Sequence, residues 1–190
     1  MEKDREGHDL EGDLDAMSIE LAMRPEPAEY AEWFERYISR VPDGPILDTL
    51  AQQLHETRTL LQGLVPSRVR HAYAPGKWTV AEVVGHVTDS ERVFAYRALA
   101  FARGDQSELP GFDENGYGAN SPAAVMPFGD VIGDYTAVRR ASISLLRGFQ
   151  PEAWARRGTA NGKPISVRAL AWVIAGHERH HLGVLRERYL

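Results

Sequence analysis

Apolar residues recur at helical spacing along four long stretches of this chain. The stretches are residues 46–64, 80–103, 128–149 and 167–189. In the first of them Leu50, Leu54 and Leu61 fall on one face, as expected for a helix that buries one side. Because the alternation typical of strands is scarce, the pattern predicts an all-α fold built as a four-helix bundle.

Local signals mark the helix ends. Thr79 and Glu82 have the spacing of a capping box before the second helix, and Ser166 is a suitable N-cap for the last. A shorter helix is predicted over residues 28–40, ahead of a segment that contains proline and glycine.

Two connections between the helices are distinctive. Residues 104–126 are rich in glycine and proline, and a loop of that length is often functional or packed as a lid. Phe112 and Asp113 lie within it and are candidates to close over a site. Residues 158–164 are predicted as a turn or the tip of a tight hairpin.

Charge is distributed unevenly along the chain. The first 22 residues carry eight acidic and two basic side chains, whereas the remainder is close to neutral. We expect a flexible acidic tail over residues 1–23 and one bundle domain over residues 24–190. The net charge of −5 argues against a nucleic-acid partner.

Several classes of protein are disfavoured by composition. No apolar run is long enough for a membrane span, and the acidic N-terminus lacks the apolar core of a signal peptide, so a cytoplasmic location is expected. There is no cysteine. Any metal must therefore be held by histidine or by carboxylates.

The strongest chemical signal lies near the C-terminus. His177 and His181 are four residues apart, which places both imidazoles on one face of a helix. Leu170, Val173 and Val184 lie on the same stripe, so the pair faces the interior. Buried imidazoles need partners, which a metal ion or hydrogen bonds would supply.

A third histidine is available on the second helix. His86 shares the inward face of that helix with Val83 and Phe94. Side chains from facing helices converge on metals inside bundles. The predicted ligand set is therefore His86, His177 and His181.

Other residues near these histidines have alternative interpretations. Asp89 and Glu91 are candidates for a fourth ligand or for acceptors of a histidine N–H, or they pair with nearby arginines. His180 is offset from the ligand face and is expected beside the site or at the surface. Gly85 and Gly176 are expected to leave space next to the ligands.

Residues 177–181 also spell the H-E-x-x-H motif of zinc peptidases, in which the glutamate is the general base. Glu178 is one position from His177 and so points about a quarter-turn away from the ligand face. The nine residues after His181 also lack the later ligands of the extended motif. We therefore favour a third ligand from the second helix.

Several segments together resemble the DinB/YfiT-like superfamily of proposed metalloenzymes. The segments are residues 76–92, 97–104, 110–113, 158–162 and 175–181. The resemblance covers the chain from about residue 24 onward. It implies an up-down-down-up four-helix bundle, usually a homodimer. It also implies a nickel or zinc ion on one histidine of the second helix and an H-x-x-x-H pair of the last, which correspond to His86, His177 and His181.

The resemblance indicates the reaction less clearly. Related families include bacillithiol S-transferases and mycothiol-dependent maleylpyruvate isomerases, in which the metal activates a low-molecular-weight thiol. The expectation is a metal-dependent enzyme that activates a thiol or water against a small-molecule substrate, as a transferase or a hydrolase. The alternatives are a non-catalytic metal-binding or stress-response module acting through a protein partner, and a bundle whose histidines are packed without metal. The sequence identifies no catalytic residue beyond the ligands.

Overall fold

The computed structural model describes residues 23–190, and residues 1–22 of the predicted tail lie outside this range. Within the described range the four long helices are α2 (Ile46–Gln62), α4 (Val80–Ala102), α6 (Phe128–Arg147) and α8 (Val167–Arg188). The predicted all-α bundle is confirmed. None of the helices in residues 23–190 is long and apolar enough to cross a membrane.

The order of side-chain contacts gives the direction of each helix. Contacts between α2 and α8 progress in the same direction along both helices, whereas those between α4 and α8 progress in opposite directions. By the same criterion α6 is antiparallel to α2 and parallel to α4. The order is therefore up, down, down and up, as expected. The contacts used are Gln53–Ala175, Thr57–Glu178, His86–His181, Phe94–His177, Leu50–Arg139 and Glu91–Arg139, together with the buried cluster that contains Leu61, Val84 and Val131.

Both predicted N-caps are present. The Thr79 hydroxyl accepts a hydrogen bond from the Glu82 backbone N–H, and the Glu82 carboxylate accepts one from the Thr79 N–H at 2.7 Å. The Ser166 hydroxyl accepts from the Ala169 N–H at 2.9 Å. These bonds satisfy backbone donors at the first turns of α4 and α8, which are the two helices that carry the candidate ligands.

The helix predicted over residues 28–40 is shorter than expected. Two 3₁₀ turns, Pro27–Glu29 and Glu32–Phe34, precede a single helical turn, α1 (Glu35–Ile38). Between the two turns the chain is extended, because the Ala31 N–H donates to the Pro164 carbonyl at 3.0 Å. This contact with a distant segment prevents a continuous helix.

Short helical elements occupy the connections. The single turn α7 (Pro151–Trp154) is predicted by the sequence, whereas α3 (Pro66–Val69), α5 (Glu114–Asn120) and a 3₁₀ turn at Pro122–Ala124 are not. Such segments have one or two turns, which is too short for a helical apolar pattern to be read. Of these, α5 matters most here, since it lies in the long connection after α4.

A small hairpin precedes α8. Strands β1 (Arg157–Ala160) and β2 (Lys163–Ser166) pair in antiparallel fashion around Asn161 and Gly162. Both turn residues have positive φ, 53° and 69°, as a two-residue type I′ turn requires. Leu109 hydrogen-bonds to this hairpin through its backbone, which anchors the long connection after α4.

A buried cluster of charged and polar groups joins all four long helices. Arg139 of α6 is fully buried. Its guanidinium donates to both carboxylate oxygens of Glu91 on α4, at 2.8 and 2.7 Å, and lies 2.6 Å from a carboxylate oxygen of Glu178 on α8. On the α2 side, the Thr57 hydroxyl donates to Glu178 at 2.5 Å. Burial lowers the pKa of Arg139, but the two carboxylates more than offset this and hold it well above its usual value.

Helix α1 packs directly against α8 at Gly176. A Cβ built on Gly176 would be 2.0 Å from the Tyr37 carbonyl oxygen, and one on Gly85 would be 2.7 Å from the Ala123 Cβ. The expectation that these glycines leave space for a ligand is therefore wrong. The space beside each is filled by a neighbouring segment that packs against the helix.

We predict that Arg139→Met destabilises the protein by about 3–5 kcal/mol, because it leaves two buried carboxylates without their cation. The matched control is Arg92→Met, which removes a half-exposed arginine paired with Asp89 and Asp134 and should cost about 0–1 kcal/mol. Denaturant unfolding measures both losses. Similar losses for the two variants would contradict the role assigned to the cluster.

We predict that Gly176→Ala lowers the free energy of unfolding by about 1–3 kcal/mol, because the added methyl group overlaps the backbone of Tyr37. Gly183→Ala is the control on the same helix. Its Cβ would meet nothing within 4 Å, so it should stabilise the helix by about 0.5–1 kcal/mol. Opposite signs in thermal unfolding would support the close approach of α1 and α8, and a neutral Gly176→Ala would refute it.

Candidate metal centre

Three histidine side chains converge between α4 and α8. His86 comes from α4, and His177 and His181 lie one turn apart on α8. The Nε2 atom of His181 is 3.2 Å from the Nε2 atom of His86 and 3.2 Å from that of His177. The candidate ligand atoms of all three lie within 4.8 Å of one another. The structure thus brings together the three residues that the sequence predicts.

This arrangement could hold one divalent ion. Two imidazole nitrogens that bind the same zinc-like ion at about 2.0–2.1 Å in tetrahedral geometry are about 3.3 Å apart. The two 3.2 Å separations match that value. Among the described residues, the group of potential ligands consists of these three histidines. A site with three protein ligands leaves at least one coordination position for a small molecule.

Burial keeps the three imidazoles neutral. It lowers the pKa of His86 to about 4, with a smaller contribution from His180. It lowers the pKa of His181 to about 3, aided by His86 and His180. The pKa of His177 is also well below its usual value, first because of burial and then because of the neighbouring histidines. At neutral pH each ring therefore has a free lone pair, which is the form that binds metals.

Aromatic side chains surround the histidines. The Trp78 ring lies over His86, with centroids 4.8 Å apart and planes tilted by 38°. Tyr37 and Phe94 meet His177 edge-on, at 5.3 and 5.6 Å. These contacts restrict rotation of the two rings and exclude water from one side of each.

Glu178 does not act as the glutamate of a zinc peptidase here. Its carboxylate is buried and accepts hydrogen bonds from the Tyr135 hydroxyl at 2.8 Å and the Thr57 hydroxyl at 2.5 Å. It is also paired with Arg139. The carboxylate belongs to the cluster that joins the helices, which agrees with the quarter-turn offset expected from the sequence.

The two other candidate acids on α4 have arginine partners. The Asp89 carboxylate accepts a hydrogen bond from Arg92 at 3.0 Å, and the Glu91 carboxylate is held by Arg139. Neither carboxylate joins the group of potential ligands in the described part of the chain. Of the alternatives given for these acids, pairing with arginines is therefore the one that the structure shows.

One pocket borders the histidines on the His177 side. Its volume is about 300 Å³, and Phe112 and Asp113 of the long connection line it, as the sequence suggested. Asp113 also caps α5, since its carboxylate accepts from the Asn115 N–H at 3.1 Å. We call this cavity the α1 pocket, because Tyr37 of α1 forms part of its wall.

A second pocket of about 260 Å³ borders the histidines on the His181 side. Trp78, His180 and Tyr189 are among the residues that line it. His180 therefore lies beside the site, with its ring centroid 4.9 Å from that of His181. Since His177 lines one pocket and His181 the other, the histidine cluster is reached from two sides.

The α1 pocket also contains residues that the sequence patterns do not single out, among them Tyr37, Ser90 and Arg97. For Ser90 and Arg97 the sequence does contain a signal. At 100° per residue, the side chains of His86, Ser90 and Arg97 lie within about 40° of one another around the helix.

Comparisons with known proteins agree with this architecture. The sequence profile of the DinB superfamily matches residues 49–185. A Bacillus pumilus protein described as a candidate metal-dependent hydrolase is 24% identical over 144 residues, which are 74% of this chain and 81% of that protein.

The solved structure of YfiT from Bacillus subtilis has a similar fold. That protein is described as a candidate metal-dependent hydrolase with an unusual four-helix bundle topology. The match has a TM-score of 0.62 at 17% sequence identity and covers 89% of this chain and 95% of YfiT. Since the profile spans well over half of the sequence and includes all three histidines, this chain belongs to the DinB superfamily.

Proposed function

We propose that this protein is a metal-dependent enzyme in which His86, His177 and His181 hold one divalent ion, nickel or zinc. The observation that carries the proposal is that the Nε2 atom of His181 lies 3.2 Å from those of both His86 and His177, which is the separation expected for ligands of one ion. Within residues 23–190 the potential metal ligands that cluster here are these three imidazoles.

The donor set favours catalysis over a purely structural ion. Structural zinc sites are closed by four protein ligands, whereas catalytic sites retain an open position. When bound, such an ion lowers the pKa of a coordinated water or thiol and so supplies a nucleophile near neutral pH. The aromatic residues around His86 and His177 fix the ring orientations and keep one side of the site dry.

Hydrolysis is the reaction that the relatives favour. The Bacillus pumilus protein and YfiT are both described as candidate metal-dependent hydrolases. In this interpretation water is the nucleophile, and a small-molecule substrate occupies one of the flanking pockets. The α1 pocket is the better candidate because it is the more enclosed of the two and has more aromatic side chains in its wall.

Thiol S-transfer is the second candidate, and one observation favours it. The histidine cluster lies between two pockets, so that two molecules could approach it from opposite sides. A low-molecular-weight thiol in one pocket and an electrophile in the other would meet at the ion. The non-enzymatic alternative, a metal-binding or stress-response module, would need no such access.

We predict that the untagged protein, purified without chelator, contains about one nickel or zinc ion per chain. His177→Ala should lose most of it, because two imidazoles hold a divalent ion far more weakly than three. Elemental mass spectrometry measures the metal content. His55→Ala, which removes an exposed histidine of α2, should retain the full amount.

Two results would refute the proposed metal site. If the wild type takes up no ion even after incubation with nickel or zinc, the histidines are packed without metal. Retention of the ion by both His86→Ala and His177→Ala would place it elsewhere.

Cobalt substitution distinguishes the candidate reactions. Cobalt(II) in a site with an open position should change its visible spectrum when a small ligand binds. We predict a new sulfur-to-cobalt charge-transfer band on addition of a simple thiol if the protein is an S-transferase. A spectrum that responds to no added ligand would indicate a closed site and favour the non-catalytic module.

A homodimer, which the family resemblance implies, is also part of the proposal. Light scattering of the purified protein would measure its mass against the 21.2 kDa of one chain.

A further inference from the structure

The α1 pocket contains an arginine that has no acidic partner. Arg97 of α4 lines this pocket and is only 5% exposed. Among residues 23–190 its guanidinium makes one hydrogen bond, from Nη2 to the Pro110 carbonyl at 2.8 Å, and lies 5.9 Å from the Phe94 ring centroid. Since a guanidinium has five N–H donors, most of them remain available.

A buried cation without a counter-ion is costly. Burial lowers the pKa of Arg97, and no carboxylate of the described chain offsets this effect. The contrast with Arg139 is direct, because that fully buried arginine is held by two glutamates. An uncompensated guanidinium in a pocket wall is the arrangement expected of a site for a negatively charged group.

A second polar group in the same pocket is also without a partner. Ser90 is 1% exposed and its hydroxyl has no hydrogen bond in the described residues. Ser90 and Arg97 both line the α1 pocket, and His177 lines it as well. Along α4, Ser90 lies about 6 Å from His86, and Arg97 lies about 10 Å beyond Ser90, at 1.5 Å per residue.

We propose that the α1 pocket binds the carboxylate of a small, singly charged substrate with a planar apolar body. Arg97 binds the carboxylate and Ser90 hydrogen-bonds to the middle of the molecule. The other end of the substrate reaches the histidine cluster. This inference rests on the proposed function for the reaction, although the carboxylate site itself does not require a metal.

The remaining walls support this choice of ligand. The apolar surface of the pocket is largely aromatic, which suits a planar or apolar body. The aromatic residues are Trp33, Phe34, Tyr37, Phe94 and Phe112. Asp113 and Glu114 also line the pocket and are exposed, so a polyanion such as a phosphate would meet their negative charge. A monocarboxylate fits better.

The test compares two molecules that differ in charge and little else. The probes are 3-phenylpropionate and its neutral amide, and their dissociation constants are measured by calorimetry on the metal-loaded protein. We expect the carboxylate to bind about tenfold more tightly than the amide, because a charge-assisted hydrogen bond replaces a neutral one. Equal affinities would overturn the proposal.

The key variant is Arg97→Gln, which keeps a polar N–H donor but has no charge. It should bind both probes with similar affinity. Lys163→Gln removes the other cation of the pocket, which is partly exposed and lies 5.5 Å from the Trp33 ring centroid. This control should retain the preference for the carboxylate. A preference lost in Lys163→Gln and kept in Arg97→Gln would overturn the assignment.

A carboxylate could also bind directly to the metal, and His181→Ala addresses this. His181 lines the second pocket and not the α1 pocket, so its loss removes a ligand without changing the wall around Arg97. The preference for the carboxylate should persist in His181→Ala. If it disappears, the carboxylate was at the metal and the proposal is wrong.

The two proposals can fail separately. A wild type that holds no metal but prefers the carboxylate would refute the proposed enzyme and support the carboxylate site. If Arg97→Gln does not fold, the wild type still gives an answer through the NMR signal of the Arg97 Nε–H group. That signal should shift on titration with the carboxylate and stay in place with the amide, and the absence of a shift would overturn the proposal.

Discussion

The buried guanidinium of Arg139 constrains the relative positions of all four long helices. It must contact both Glu91 and Glu178, because a charge at zero exposure has no water to replace them. Since Glu178 adjoins His177 in the sequence, the contact fixes the rotation of α8 about its axis. His177 and His181 are then turned toward α4, where His86 faces them. The geometry of the histidine cluster thus depends on an ion cluster that contains none of its ligands.

Much of the fold and the ligand set follow from short-range patterns. The helical stripes predict the four long helices within a few residues, and the capping box at Thr79 gives the start of α4. The spacing of His177 and His181 places two ligands on one face without any knowledge of the fold. The assignment of His86 also needs the assumption that an inward-facing histidine on a neighbouring helix meets His177 and His181.

The features that the sequence did not reveal depend on contacts between distant segments. Glu178 binds Thr57, Tyr135 and Arg139, which lie on distant helices, so its role in joining helices has no local signature. The close approach at Gly176 is set by Tyr37, whose position depends on the contact between Ala31 and the hairpin. The sequence has no acid between Glu91 and Asp105, but only the fold shows that no distant carboxylate in residues 23–190 pairs with Arg97.

The part of the chain that carries the ligands is distinct from the part that shapes one side of the α1 pocket. The region matched by the family profile begins at residue 49 and contains all three histidines, whereas Trp33, Phe34 and Tyr37 precede it. The earlier segment packs against α8 from outside the four-helix bundle. Substitutions in this short segment would therefore reshape one wall of the pocket without altering any of the three candidate ligands.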